Sequence, residues 1–164
     1  MVTVFGHQNT PRIISLSLDG NQFDIYNKIS RCYSHSFLFE SLTGPDELAE
    51  TSIMGFDPEL IVKGYFDRVT IQKRDGHIEV IKTESPLEII KELVEHTEDK
   101  TYRYLGGAVG TIHYDAIRLW ENIPGSKNLE KAIMEFGIYK DGIFYDNKKK
   151  QFFYFYYDEN RSEK

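Results

Sequence analysis

Cysteine is almost missing from this sequence: Cys32 stands alone among 164 residues. An intrachain disulfide is therefore excluded, as is a CxxC pair for zinc or redox chemistry. No apolar run approaches the roughly 20 residues that a membrane-crossing helix needs. The first residues show no basic start followed by an apolar stretch, so no signal peptide is visible and a soluble cytoplasmic protein is expected. A basic face is lacking too. The net charge is −6, and the lysine run Lys148–Lys150 sits beside Asp146 and Asn147, which reads as a hairpin turn and not as a nucleic-acid surface. His7, His35, His77, His96 and His113 are scattered without HExxH or paired-ligand spacing, so no metal site is expected.

What the sequence does have is aromatic residues, eleven Phe and eleven Tyr. Rings sit well on pleated, half-buried surfaces, so β-rich packing is expected. The length suits one domain with a real core.

The pattern along the chain gives a coarse set of elements. Arg12–Leu18 is extended and closes at Gly20 and Asn21, after which Phe23, Tyr26 and Ile29 fall at helical spacing over 22–31. SFLFES (36–41) is a strand, followed by turn chemistry at Thr43-Gly44-Pro45-Asp46 and a brief strand over 51–55. LIVKGYF (60–66), RVTIQKR (68–74) and HIEVIKT (77–83) follow, with Asp75-Gly76 as a two-residue hairpin signal. Ser85-Pro86-Leu87-Glu88 predicts a helix start with a capping box, and Leu87, Ile90 and Val94 supply a buried stripe running to about His96. Gly106–Tyr114 reads as a glycine-rich strand and Asp115–Glu121 as a short helix with Asp115 near its cap. Residues 132–145 and 151–157 read as a long hairpin across Asn147.

FFYFYY (152–157) is aromatic on both faces of its strand, where a surface strand would alternate with polar residues. Two accounts fit: an internal helix covers one face, or a neighbour outside these residues does.

Few residues suggest chemistry. Glu40-Ser41, a carboxylate and a hydroxyl at a strand end, suits the ammonium group of a small ligand. The bland reading is a solvated loop carboxylate beside a turn-forming serine. GGAVG (106–110) lacks both the GK[ST] ending of a phosphate loop and the GxGxxG spacing, so close backbone approach explains its glycines better. His113, Asp115 and Arg118 cluster in sequence without a nucleophile, which leaves Asp115 as a cap and Arg118 as a partner for a carboxylate. No catalytic machinery is visible.

Three segments in order carry a resemblance. Phe37-Leu38-Phe39-Glu40-Ser41 resembles a leucine-leucine-glutamate-serine strand, and Met54-Gly55-Phe56-Asp57-Pro58 an isoleucine-glycine-x-x-proline turn. The segment from Gly106 to Arg118, followed by Trp120-Glu121 and Ile123-Pro124, is similar to GGxxGYxxYDxxR. Together they resemble the N-terminal domain of the anthranilate synthase component I and aminodeoxychorismate synthase family, over about residues 22–157.

The resemblance implies an α+β fold of mainly antiparallel β-sheets packed together with a few outer helices, part of a larger two-domain intertwined β-sandwich. Residues 1–158 would form the regulatory, non-catalytic domain, with 159–164 a frayed end. The family's lyase reaction, in tryptophan biosynthesis, converts chorismate and an amino donor to anthranilate, pyruvate and glutamate. It uses Mg²⁺ and a C-terminal chorismate-binding domain whose motifs are absent here, so no turnover is expected from these residues alone.

By the same resemblance, Glu40 and Ser41 would bind L-tryptophan as feedback inhibitor, with Phe39 and Met54 lining the indole. Gly106, Gly107, Gly110, Tyr114, Asp115 and Arg118 would serve structure and domain contact, and the domain would help dock the glutamine amidotransferase subunit, component II. A folate-pathway aminodeoxychorismate synthase and a stand-alone ligand-sensing module are the alternatives. Two departures stand out: Glu50-Thr51-Ser52 where the family shows arginine and an aromatic before the serine, and Thr111 in place of an aromatic.

Overall fold

The structure, a computed structural model, describes residues 10–41, 50–94 and 101–157. The turn expected at 43–46, the end of the helix near His96 and the frayed terminus lie outside them. The chain divides into two compact units, Met1–Pro58 with His96–Gly106 and Tyr139–Lys164, and Glu59–Glu95 with Gly107–Ile138. No helix among the described residues is long and apolar enough to cross a membrane.

The first unit holds β1 (Arg12–Leu16), α1 (Gln22–Cys32), β2 (Ser36–Phe39), β3 (Thr51–Phe56), β9 (Asp141–Asp146) and β10 (Gln151–Tyr156). Its sheet has the order β1-β10-β9-β3-β2, and every pair in it is antiparallel. Helix α1 begins with a capping box: Asp24 N–H donates to Asn21 Oδ1 at 2.9 Å, and Asn21 N–H donates to Asp24 Oδ2 at 3.2 Å. Two of the donors that a helix start leaves unpaired are thereby satisfied. The inward stripe is Ile25, Tyr26 and Ile29; Phe23, expected there, is 57% exposed. At about 100° per residue Phe23 stands some 200° around the helix from Ile25, so the two cannot share a face.

Strand β10 is covered on both faces within its own unit. Phe152, Tyr154 and Tyr156 join Ile25, Met54, Phe56 and Ile143 on the α1 side. Phe155 packs with Leu105 and Phe144 on the other side, where Phe153, Tyr102 and Tyr104 close the cluster. Of the two accounts the internal one holds for this strand, which is flanked by β1 and β9, with α1 on one face and 101–105 on the other. Strands buried on both faces need not alternate.

The second unit carries β4 (Leu60–Gly64), β5 (Arg68–Lys73), β6 (Ile78–Lys82), α2 (Pro86–Leu93), β7 (Gly107–Ile112), a 3₁₀ helix (Tyr114–Leu119) and β8 (Met134–Tyr139, whose last residue belongs to the first unit), in sheet order β6-β5-β4-β8-β7. The expected single strand over 132–145 is two strands in different sheets, parted at Lys140. The β5–β6 connection is not the two-residue turn expected. Gly76 N–H donates to Lys73 C=O, and Lys73 N–H to His77 C=O, both at 2.9 Å. Gly76 has a positive φ of 87° and Asp75 does not, which makes a three-residue loop ending in a left-handed glycine.

Ser85 caps α2 by position, with Pro86 in the first turn, but makes no side-chain cap bond. Glu88 instead pairs with Lys91 Nζ at 2.7 Å, so the expected capping box does not form. The buried stripe of α2 is Pro86, Ile90 and Leu93. Gly64 makes room beneath it, since a β-carbon there would meet Met134 Cγ at 2.5 Å and Pro86 Cβ at 3.0 Å.

Candidate functional site

The end of β2 is where the sequence concentrates candidate ligand-binding groups. β2 is an edge strand, paired on one side with β3 through Ser36–Phe56, Phe37–Gly55, Leu38–Met54 and Phe39–Ile53. Paired residues share a face, and the faces differ in kind. Leu38 and Met54 belong to the α1-side cluster, and Met54 is wholly buried. Ile53 belongs with Leu105 and Phe155 on the opposite face. Phe39, its partner, is 54% exposed, with its ring 5.0 Å from that of Phe37.

Phe37 is held in turn edge-on to Tyr139 at 5.0 Å and Tyr104 at 6.0 Å. The outcome is an aromatic ledge that ends in an exposed ring. Phe39, Glu40 and Ser41 come together at the strand end, while Met54 lies on the other side of the sheet, in the core. Glu40 is exposed, and among the described residues its carboxylate has no hydrogen-bond or ion-pair partner.

Hydrogen bonds to Ser52 and Asn147 hold Ser41. Its N–H donates to Ser52 Oγ at 3.1 Å, and its C=O accepts from Asn147 Nδ2 at 3.3 Å. Neither Ser52 in this role nor Asn147 was visible in the sequence. Ser52 stands in the Glu50-Thr51-Ser52 stretch noted as a departure, and its complete burial is visible only in the structure.

Beside this end of the sheet lies a shallow cleft of about 170 Å³ lined by Glu50, Asp146, Lys148 and Lys149 with Tyr102. Its charges satisfy one another. Lys148 Nζ donates to Glu50 Oε1 at 2.6 Å, and that bond holds the Glu50 carboxyl below the usual carboxylate range. Lys149 Nζ donates to Tyr102 Oη at 2.7 Å, which raises the lysine pKa, and lies 3.5 Å from Asp146. Asp146 Oδ1 also accepts from the N–H groups of Lys148 and Lys149, each at 2.9 Å. The cleft is thus a self-neutralised network that braces the β9–β10 turn. The charge of Glu50 is balanced by Lys148.

The glycine-rich segment is explained by packing. A β-carbon on Gly110 would overlap the Glu135 carbonyl and stand 2.6 Å from Phe136 Cα. Gly106 has φ of 96°, and a β-carbon there would stand 2.7 Å from the Tyr139 carbonyl oxygen; Gly107 has φ of 129°. Beyond β7, Asp115 is not the cap: His113 holds that position without a side-chain bond. Arg118 turns mainly to carbonyls, donating from Nη1 to Ile123 O at 3.0 Å and Pro124 O at 3.2 Å, with Asp115 at 4.0 Å. Tyr114 is 87% exposed and lies between exposed Ile112 and Trp120 in sequence.

Among the described residues no group of three or more His, Cys, Asp or Glu could hold a metal ion.

No family model matches the chain. Curated relatives do. Anthranilate synthase component 1 of Methanothermobacter thermautotrophicus is 31% identical over 142 residues, which is 85% of this chain and 29% of the relative. The protein of the same name from Acetivibrio thermocellus is 32% identical over 121 residues, 70% of this chain and 24% of the relative. Anthranilate synthase component I from Streptococcus pneumoniae shares the fold with a TM-score of 0.53 at 24% identity, over 79% of this chain and 28% of that one. The chain thus spans less than a third of the length of these relatives.

Proposed function

Since the chain is a relative of anthranilate synthase component 1, we propose that it acts as the N-terminal regulatory domain of such an enzyme, with L-tryptophan as its effector. The observation that carries this reading is the end of β2: an exposed carboxylate without a partner among the described residues, next to an exposed ring and a serine whose backbone is held on both sides. The ammonium of a free amino acid supplies the charge that Glu40 lacks, Ser41 hydrogen-bonds the ligand, and Phe39 offers the indole an apolar surface. Met54 supports the strand from the core below.

In this reading catalysis belongs to a separate chorismate-binding domain. With that domain and Mg²⁺, chorismate and an amino donor yield anthranilate and pyruvate in the cytoplasm. Component II, the glutamine amidotransferase subunit, docks on the assembled enzyme. β7 is an edge strand, and with the 3₁₀ helix it supplies the contact to the catalytic domain: Gly106, Gly107 and Gly110 shape it, Tyr114 and Asp115 face outward, and Arg118 braces the following loop. Tryptophan inhibits only by binding one arrangement of the domains better than the other.

Calorimetric titration with L-tryptophan tests the reading. Binding is expected, and Glu40→Ala should weaken it about ten- to a hundredfold, the share of one charge-assisted contact. Equal affinity in the variant would remove Glu40 from the site. The same polypeptide should give no anthranilate from chorismate, ammonia and Mg²⁺; turnover above the blank would overturn its regulatory assignment.

A further inference from the structure

Ladder pairing between β2 and β3 stops at Phe39–Ile53, so Glu40 and Ser41 lie beyond the last strand pair. A strand end in that position frays unless something else binds its peptide groups. Two side chains do so. Ser52, wholly buried on β3, turns its Oγ to the Ser41 N–H at 3.1 Å. Asn147, at the start of the β9–β10 turn, faces its amide to the Ser41 carbonyl at 3.3 Å, and only the NH₂ end of a carboxamide can donate there.

Asn147 is itself anchored. Its N–H donates to the Glu50 carbonyl at 2.9 Å, and the adjoining turn is tied by the Asp146 carboxylate to the N–H groups of Lys148 and Lys149. One residue of the turn thus joins the end of β2 to the start of β3.

We infer that Ser52 and Asn147 are the positioning residues of the Glu40–Ser41 pair. Placing tryptophan at that pair rests on the function proposed above; holding the strand end does not. Their action is on the population of the competent strand end. Apparent affinity falls in proportion to the fraction of molecules with the site formed, so a strand end ordered one-tenth of the time binds about tenfold more weakly. Control of the effector site thereby lies partly in a turn more than 100 residues further along the chain.

The test compares Ser52→Ala, Asn147→Ala and Ser52→Thr with wild type by amide hydrogen exchange at Ser41 and by L-tryptophan calorimetry. Both alanine variants should speed exchange at Ser41 by about tenfold and weaken tryptophan by a similar factor. Ser52→Thr keeps the hydroxyl and should retain both properties. Thermal melting shows which variants fold; should Ser52→Ala fail to fold, Asn147→Ala decides. Unchanged Ser41 exchange in the folded alanine variants overturns the inference whatever tryptophan does. Tryptophan that fails to bind wild type overturns the effector reading instead, and exchange at Ser41 still decides whether these two side chains hold the strand end.

Discussion

The ring of Phe37 lies directly over Gly55, its partner across the β2–β3 ladder, in the space that a β-carbon would occupy. The ring has little room to yield, because Phe39, Tyr104 and Tyr139 hold it on its other sides. Gly55 is thus a seat for the aromatic ledge that leads to Glu40. Its place in a recognisable sequence segment has a steric cause.

Gly55→Ala should therefore destabilise the protein by about 1–3 kcal/mol, as overpacking does. Urea unfolding measures the loss. Most of the penalty should vanish in a Phe37→Ala background, and strictly additive losses in the double variant would contradict the contact.

Gly110→Ala should cost more, at least about 3 kcal/mol, because the obstructing atoms are backbone rather than a ring. A β-carbon there overlaps the Glu135 carbonyl. Hydrogen exchange should quicken in β7 while β9 and β10 keep their protection. Uniform behaviour across all three strands would show that Gly110 has no local role.

Tyr104 presents a different case. Its hydroxyl is buried with no hydrogen-bond partner among the described residues, and burial pushes its pKa well above the ordinary phenol value. Tyr104→Phe should then leave stability at neutral pH unchanged or improve it by about 1 kcal/mol, since an unpaired buried polar group is removed. Its raised folded-state pKa implies a stabilisation that is complete below the unfolded value of 10.0 and fades as pH climbs beyond it. Tyr139, pushed up to about 12 by burial, adds to the same loss. Denaturation at pH 9 and 11 should show a shallower decline for Tyr104→Phe than for wild type; parallel declines would rule out an alkaline role for Tyr104.

Tyr154 donates to Asp141 Oδ2 at 2.6 Å, and both residues are buried. Tyr154→Phe keeps the ring and removes the donor, so unfolding should show a loss of about 1.5–3 kcal/mol, the range for a hydrogen bond to a charged group. An unchanged midpoint would mean that other partners of Asp141 take up the bond.

Much of the local structure was readable from residue order. Alternation located β4, β5 and β6 to within a residue or two at each end, and the glycines of 106–110 pointed to close backbone approach, which Gly106 and Gly110 make. Other expectations failed for identifiable reasons. Asp75-Gly76 marked a turn, but the loop length followed from bonds at Lys73 and His77 that a dipeptide does not specify. Ser85 and Glu88 have the spacing of a capping box, yet Glu88 meets Lys91 instead. Residues 132–145 read as one strand because period-two patterning does not reveal a change of partner at Lys140.

At the candidate site, Glu40 and Ser41 stood out because a strand-ending carboxylate beside a hydroxyl is conspicuous in a sequence. Ser52 and Asn147 did not, because hydrogen bonds between residues 11 and 106 positions apart leave no periodic trace. Periodicity, turn residues and glycine placement act over a few positions, and those interactions determined where elements begin, end and twist. Which strands pair, which face of β10 meets α1, and which side chains hold Ser41 were decided only by the tertiary structure. They depend on contacts that exist once distant segments are brought within hydrogen-bonding reach.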